Sequence, residues 1–544
     1  MSTPAGGNLG SVRRLALAHM WVAFALFAVA CVLGVYQLLE RGHFVRTSAA
    51  AYYGSTTLHG VVQAFVLTTF FIVGFGYCVT AASLGRPIRR TGLAWLGFWT
   101  MLVGSVVAAL SIAAGKATVL YTFYPPIVAH WTFYAGAALL LVGSLAWTWI
   151  TIAETVSWKT ENPGRPVPLA QFGMTAAAVL WAWTLVGVVV EVVFQLLPLS
   201  LGLTPAIDVG LARTLFSWTL HPIVYFWLIP AYVALYALVP KSAGGYLFSD
   251  EVGRIAFVML LVFSLPIGLH HIFVDPEQAA GWKLMHALGT FLVAVPTLLT
   301  GFTITASLET AGRLRGGKGL FGWIGRLPWS EPVTLGGILA VIVLLPGGFG
   351  GLVNASYAMN VMVHNTAWIT AHFHLILGGT VVTMYFASAY ALWPNLTGHR
   401  LHSKGMATAQ IWLWVVGLLV LTVPWHYQGL LGMPRRVAYM PYDPALVARW
   451  ERWNALILAG GVLMVLSAVL LVVNLLLTHG GASEEDRELV FADALEPVVR
   501  VPALLNGFTV WNWLLVALMA LSWAYPIGQF FFIGVHKALA WGFR

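Results

Sequence analysis

The sequence predicts an all-α, polytopic membrane bundle of about thirteen transmembrane helices with its N-terminus on the cytoplasmic side. Three observations predict it. Of the 544 residues, 59% are hydrophobic and 9% are charged, whereas soluble domains are about a quarter charged. The apolar excess is spread along the whole chain, which does not suit a soluble domain with one anchor. Most of the 28 Lys and Arg residues fall in alternate loops, on the side shared with the N-terminus, as the positive-inside rule expects.

Taken in order, the apolar segments run roughly 15–39, 56–84, 93–115, 128–155, 170–198, 215–240 and 252–273. They continue over 283–308, 334–353, 361–392, 406–431, 453–478 and 507–536. Each supplies the roughly 20 residues that a crossing requires. The first follows Arg13 and Arg14, lacks a small-residue cleavage site, and reads as a retained helix. The longest polar loops are 309–333, 432–452 and 479–506. None interrupts the bundle with a soluble unit, so 1–544 reads as one domain. The net charge of +9 reflects membrane orientation and implies no nucleic-acid partner. Cys31 and Cys78 have no metal-ligand or redox spacing and read as small packed or lipid-facing residues.

Sixteen histidines set the chain apart. His19, His399, His402, His479 and His536 lie near segment ends and read as interfacial. Others lie deep, where ionisable groups are costly and face a partner inside the bundle. A transition metal suits several imidazoles at once. In Thr370-Ala-His-Phe-His-Leu375, His372 and His374 point about 200° apart on a helix, so each can serve a different metal centre. His59, in Thr57-Leu-His-Gly60, could oppose His374 across a low-spin haem, with Gly60 admitting a flat macrocycle. Hydropathy leaves that pairing open. His59 sits about three residues into its segment and His374 about thirteen, unless the second helix starts earlier. In His221-Pro-Ile-Val-Tyr225, His and Tyr share a helix face. His270 and His271 are adjacent, so they can bind one ion only near a helix end or distortion, which Pro266 could supply. His221, His270 and His271 together would make a three-imidazole site suited to copper.

His59, the His221–Tyr225 run, the His270-His271 pair and His372-Phe-His374 resemble, in order and segment, the catalytic subunit of haem-copper oxygen reductases. The likeness is to the B-type, cytochrome-ba-like branch. It extends to Leu120-Tyr-Thr-Phe-Tyr-Pro-Pro126, Gly347-Gly-Phe-Gly-Gly351, Val363-His-Asn-Thr-Ala-Trp368 and Met433-Pro-Arg-Arg436. The resemblance implies a terminal oxidase in a prokaryotic cell (inner) membrane, reducing O₂ to water and translocating protons. It implies that His59 and His374 ligate a low-spin haem b and that His372 ligates a high-spin haem, a-type or o-type. It implies that His221, His270 and His271 hold the copper CuB, that Tyr225 is joined covalently to His221, and that Arg435 and Arg436 pair with haem propionates. The partners it implies are a subunit II carrying CuA, cytochrome c as donor, and membrane lipid. This chain has no CuA motif of its own, and quinol is the alternative donor.

Reducing a buried centre requires protons to accompany electrons, because two unit charges about 4 Å apart interact by about 4 kcal/mol at an effective dielectric near 20. Tyr225, Tyr232 and Tyr236 share one face of the sixth segment, and Thr297, Thr300 and Thr303 recur every third residue on the eighth. In the B-type enzymes that the chain resembles, such residues form the proton-input path. Ile223 stands where A-type relatives carry a glutamate. Two positions depart from the family: Leu220 replaces the usual Gly before His221, and Asn360 stands where Asp is expected. The competing readings are a nitric oxide reductase of the same superfamily, which Tyr225 argues against, and a non-redox transporter or haem-handling protein.

Overall fold

The structure is a computed structural model that describes residues 6–532, apart from 8, 124, 439–441 and 484–487. Tyr124 of the Leu120–Pro126 motif, His536 and the end of the thirteenth predicted segment lie outside the described residues. Among the described residues, twelve helices are long and apolar enough to cross a membrane. They are α1 (Arg13–Arg41), α2 (Ala49–Leu84), α3 (Thr91–Ala113), α4 (Trp131–Glu161), α5 (Leu169–Ser200) and α6 (Val209–Ser242), then α8 (Ala280–Leu314), α9 (Pro332–Ala355), α10 (Ala367–Thr397), α11 (Lys404–Leu430), α12 (Asn454–His479) and α13 (Thr509–Phe532).

The seventh predicted segment is the exception. Its helix α7 (Asp250–Ser264) is 15 residues long, and a single 3-10 turn at Leu269–Ile272 follows the break. Pro266 accounts for the interruption: a proline inside a helix lacks the N–H for the ladder and clashes with the preceding turn. The sixth segment is interrupted too. Val209–Leu220 and Pro222–Ala237 are separate helical runs with His221 between them, because Pro222 cannot donate to the preceding turn.

Packing follows small residues. On α3 and α4, a Cβ at Gly104 would lie 2.5 Å from the carbonyl of Gly136, so the two backbones touch where glycines meet. That close approach is the usual way for membrane helices to associate without a hydrophobic driving force between them. Leu, Val and Phe side chains on the outer faces, such as Leu110, Phe194 and Phe302, are exposed, as a lipid-facing surface requires. Cys31 and Cys78 are free and buried. His19, six residues into α1, is fully buried between Phe70, Tyr77 and Phe98. The β content among the described residues amounts to a two-residue pairing of Gly6–Gly7 with Leu489–Val490 and isolated bridges.

Candidate active site

The boundaries of two helices decide where the deep histidines meet. The second helix starts at Ala49, earlier than hydropathy alone suggests, because the side chain of Ser48 caps it by accepting from Ala51 N. The tenth starts at Ala367, later than the predicted 361, because Tyr357–Val363 is a separate short helix. His59 therefore lies ten residues past its helix start and His374 seven past its own. The depth mismatch disappears. The two rings face each other with centroids 6.2 Å apart and planes 19° from parallel. Two imidazoles that share one metal through nitrogens at about 2 Å stand at this spacing. His59 Nδ1 donates to Ala30 O at 2.7 Å and His374 Nδ1 to Thr370 O at 2.8 Å, which leaves each Nε2 for a metal. A π-helical stretch follows each ring, at Val62–Leu67 and at Leu375–Val382, a feature frequent at functional sites. Gly60 lines the same cavity as His59, and a Cβ there would also meet the Tyr121 ring at 3.0 Å.

His372 turns the other way from His374, as the two-residue spacing predicts. Its ring stacks on Trp368 at 5.8 Å. It also lies against α9, where a Cβ at Gly350 would come within 2.4 Å of His372 Nδ1. The Gly347–Gly351 run thus makes room for an imidazole.

The three remaining ligand candidates converge where both spans are broken. Ring centroids are 4.5 Å apart for His221 and His270, 5.7 Å for His221 and His271, and 4.2 Å for His270 and His271. One nitrogen from each lies within 4.8 Å of the others. His221 Nε2 and His271 Nε2 are buried with no hydrogen-bond partner. Buried polar atoms are nearly always paired, so a metal that accepts these lone pairs fits the donor set. The ring of Tyr225 stands 4.8 Å from that of His221.

One cavity of about 940 Å³ is lined by all six histidines together with Tyr225, Thr297, Leu220, Arg435 and Arg436. That is near the top of the roughly 300–1,000 Å³ range of ligand pockets. Arg435 donates to Asn365 Oδ1 at 3.1 Å, and the Arg436 guanidinium lies 5.6 Å over the Tyr121 ring. Asn360 bridges the copper-type site to His364. Its Nδ2 donates to His270 O at 3.1 Å, and its Oδ1 accepts from His364 Nδ1 at 3.1 Å. Burial, followed by the charges of Arg435, Arg213 and Arg436, holds His364 below its usual pKa.

The tyrosine and threonine rows meet as well. Tyr236 Oη donates to Thr300 Oγ1 at 3.1 Å, with Thr303 beside it. Tyr232 Oη is buried, with Thr297 on α8 as its side-chain neighbour. Ser307, one turn beyond Thr303, continues that face at i+4 spacing, donating to Thr303 O and accepting from Phe248 N. Ala30 and Gly34, which touch His59 from α1, have no such spacing to mark them.

Residues 14–463 match a family described as Cytochrome C and Quinol oxidase polypeptide I. Cytochrome c oxidase subunit 1 of Thermus thermophilus is 42% identical over 443 residues, covering 79% of this chain and 78% of that protein. A probable quinol oxidase subunit 1 of Staphylococcus haemolyticus is 25% identical over 452 residues, covering 78% of this chain and 64% of its own length. A haem-copper terminal oxidase dimer solved by cryo-electron microscopy superposes with a TM-score of 0.91 at 37% identity, covering 95% of this chain and 92% of the other.

Proposed function

Since the chain belongs to the haem-copper oxidase subunit I family, we propose that it is a B-type enzyme whose six deep histidines hold two haems and one copper. The family makes it a terminal oxidase, a multi-pass membrane protein with haem and CuB, O₂ as substrate and a subunit II as partner. The finer assignment is ours. His59 and His374 bind a low-spin haem b, and His372 binds a high-spin haem of a-type or o-type. His221, His270 and His271 bind CuB, and Arg435 and Arg436 bind propionates. Electrons come from cytochrome c through CuA of subunit II, and the N-terminus is cytoplasmic. The observation that carries this reading is the convergence of three imidazoles, two with unpartnered Nε2 atoms, in the cavity that His372 also lines.

Bound there, the haem irons and the copper supply electron transfer and the binding and cleavage of O₂. The chain supplies position and protons. O₂ takes up four electrons and four protons to give two waters. Tyr225, joined to His221, gives a proton from Oη as the O–O bond breaks. Proton replacement runs from Ser307 through Thr303, Thr300, Tyr236, Thr297 and Tyr232 to Tyr225. The Tyr236–Thr300 hydrogen bond and the burial of Tyr232, Tyr236, Thr300 and Thr303 support that path, with Tyr225 and Thr297 half-buried against the cavity. Asn360 cannot ionise, so of the hydrogen-bonded Asn360–His364 pair His364 alone titrates.

The test is metal analysis and an optical spectrum of the purified complex. The reading expects two haems and one copper for this chain, with a CO-sensitive high-spin haem. One haem, or no copper beyond that of subunit II, defeats it. Steady-state consumption of O₂ against NO separates the oxidase from a nitric oxide reductase.

A further inference from the structure

The break in the seventh span leaves backbone groups without helical partners, and their new partners form a connected set. Gly268 N–H donates to His286 Nδ1 at 3.0 Å, and Leu269 N–H points at the same atom at 3.4 Å. Gly268 O accepts from Ser217 Oγ at 2.7 Å. Ser217 lies one turn before His221 on α6, so the peptide that precedes His270-His271 is tied directly to the helix that carries the third imidazole. A Cβ at Gly268 would meet Ser217 O at 2.4 Å and the Trp523 ring at 2.9 Å. Only glycine fits.

The donors fix the protonation of His286. A backbone N–H can only donate, so Nδ1 carries the lone pair, and the proton on Nε2 faces Ser522 O of α13 at 3.2 Å. One turn on, Thr290 Oγ1 spends its hydrogen on His286 O at 2.6 Å. It must therefore accept from His270 Nδ1–H at 3.1 Å. That hydrogen bond leaves His270 Nε2 as the free ligand nitrogen. A second partner that sets tautomer and ring orientation is the usual support of a metal-bound imidazole.

We propose that His286 is a positioning residue for the copper site, holding the Gly268–Leu269 amides so that His270 and His271 meet His221. The proposal rests on the copper reading above. It acts through the His286–Thr290 face of α8, with Ser217 as its counterpart on α6.

The experiment uses the complete purified complex and measures copper per haem and the infrared stretch of CO photolysed from haem onto copper. His286→Leu removes acceptor and donor; the expected loss of copper affinity is about 10–100-fold, with both haem bands unchanged. His286→Asn places an acceptor where Nδ1 stood and restores copper and the CO band. His286→Gln reaches Ser522 instead and does not restore them. Full copper with an unshifted CO band in His286→Leu overturns the proposal, and so does rescue by Gln rather than Asn. If His286→Leu fails to assemble, Ser217→Ala decides: a shifted CO band supports the clamp and an unshifted one overturns it. Absence of CuB from the wild-type complex would instead overturn the copper reading.

Discussion

The paired rings of His59 and His374 and the trio of His221, His270 and His271 are built in opposite ways. Each ring of the pair sits within a continuous spanning helix and is aimed by one hydrogen bond to a backbone carbonyl, Ala30 O or Thr370 O. Two rings from different helices meet across a gap, and little else is needed. The trio brings one nitrogen from each of three imidazoles within 4.8 Å of the others, two of the residues being adjacent in sequence. Regular helices cannot deliver that arrangement, because neighbouring residues diverge by about 100°. Both contributing spans are broken at or just before the ligands. The difference teaches that a two-ligand site can be made by packing, whereas a three-ligand site needs irregular backbone held by added hydrogen bonds.

Ligand removal should divide the regions most sharply. His271→Leu is expected to abolish copper retention and O₂ consumption while the low-spin haem band persists. His59→Leu should do the reverse to the haem band and leave copper bound. Metal analysis and optical spectra of the two variants check this, and joint loss of both centres in either variant would erase the proposed independence. Tyr225→Phe comes next. It keeps the ring and removes the proton, so turnover should fall about 10²–10⁴-fold with metal content intact, read by oxygen-electrode assay. Thr300→Val breaks the Tyr236 hydrogen bond. A contact worth about 1 kcal/mol predicts roughly fivefold slower proton uptake, measured by stopped flow with a pH dye.

The smallest effect concerns Asn360. In the unfolded chain His364 takes a proton near pH 6.5; in the folded one it stays neutral until about 4. Acidification through that window therefore favours the unfolded state, and this stability is regained as pH rises. Asn360→Asp sets a carboxylate against His364 Nδ1. It should raise the imidazole midpoint by about 1 unit and flatten the acid loss of stability, followed by thermal unfolding from pH 4 to 8.

The bundle was legible because every crossing is written as an apolar run, and the histidines that converge were legible because imidazoles in such runs have few other purposes. Pro266 announced the break in the seventh span, whereas the break at His221–Pro222 was read from the sequence as continuous helix. The depth of His59 against His374 was not legible, since it depends on where polar helix ends stop, at Ser48 and between Val363 and Ala367. His286 was hidden for another reason. It is 18 residues from the backbone that it holds, and nothing in its own segment marks it as different from a packed histidine.

The wide turns after His59 and His374 give those helices a means of changing register midway. One extra residue in a helix rotates everything beyond it by about 100°. The half of each helix that carries a ring can thus face the cavity while the other half presents an independent side to its neighbours. Shortening Val62–Leu67 or Leu375–Val382 by one residue would force the two halves to compete for a single orientation. Either the ring would leave its partner or the far end would lose its packing.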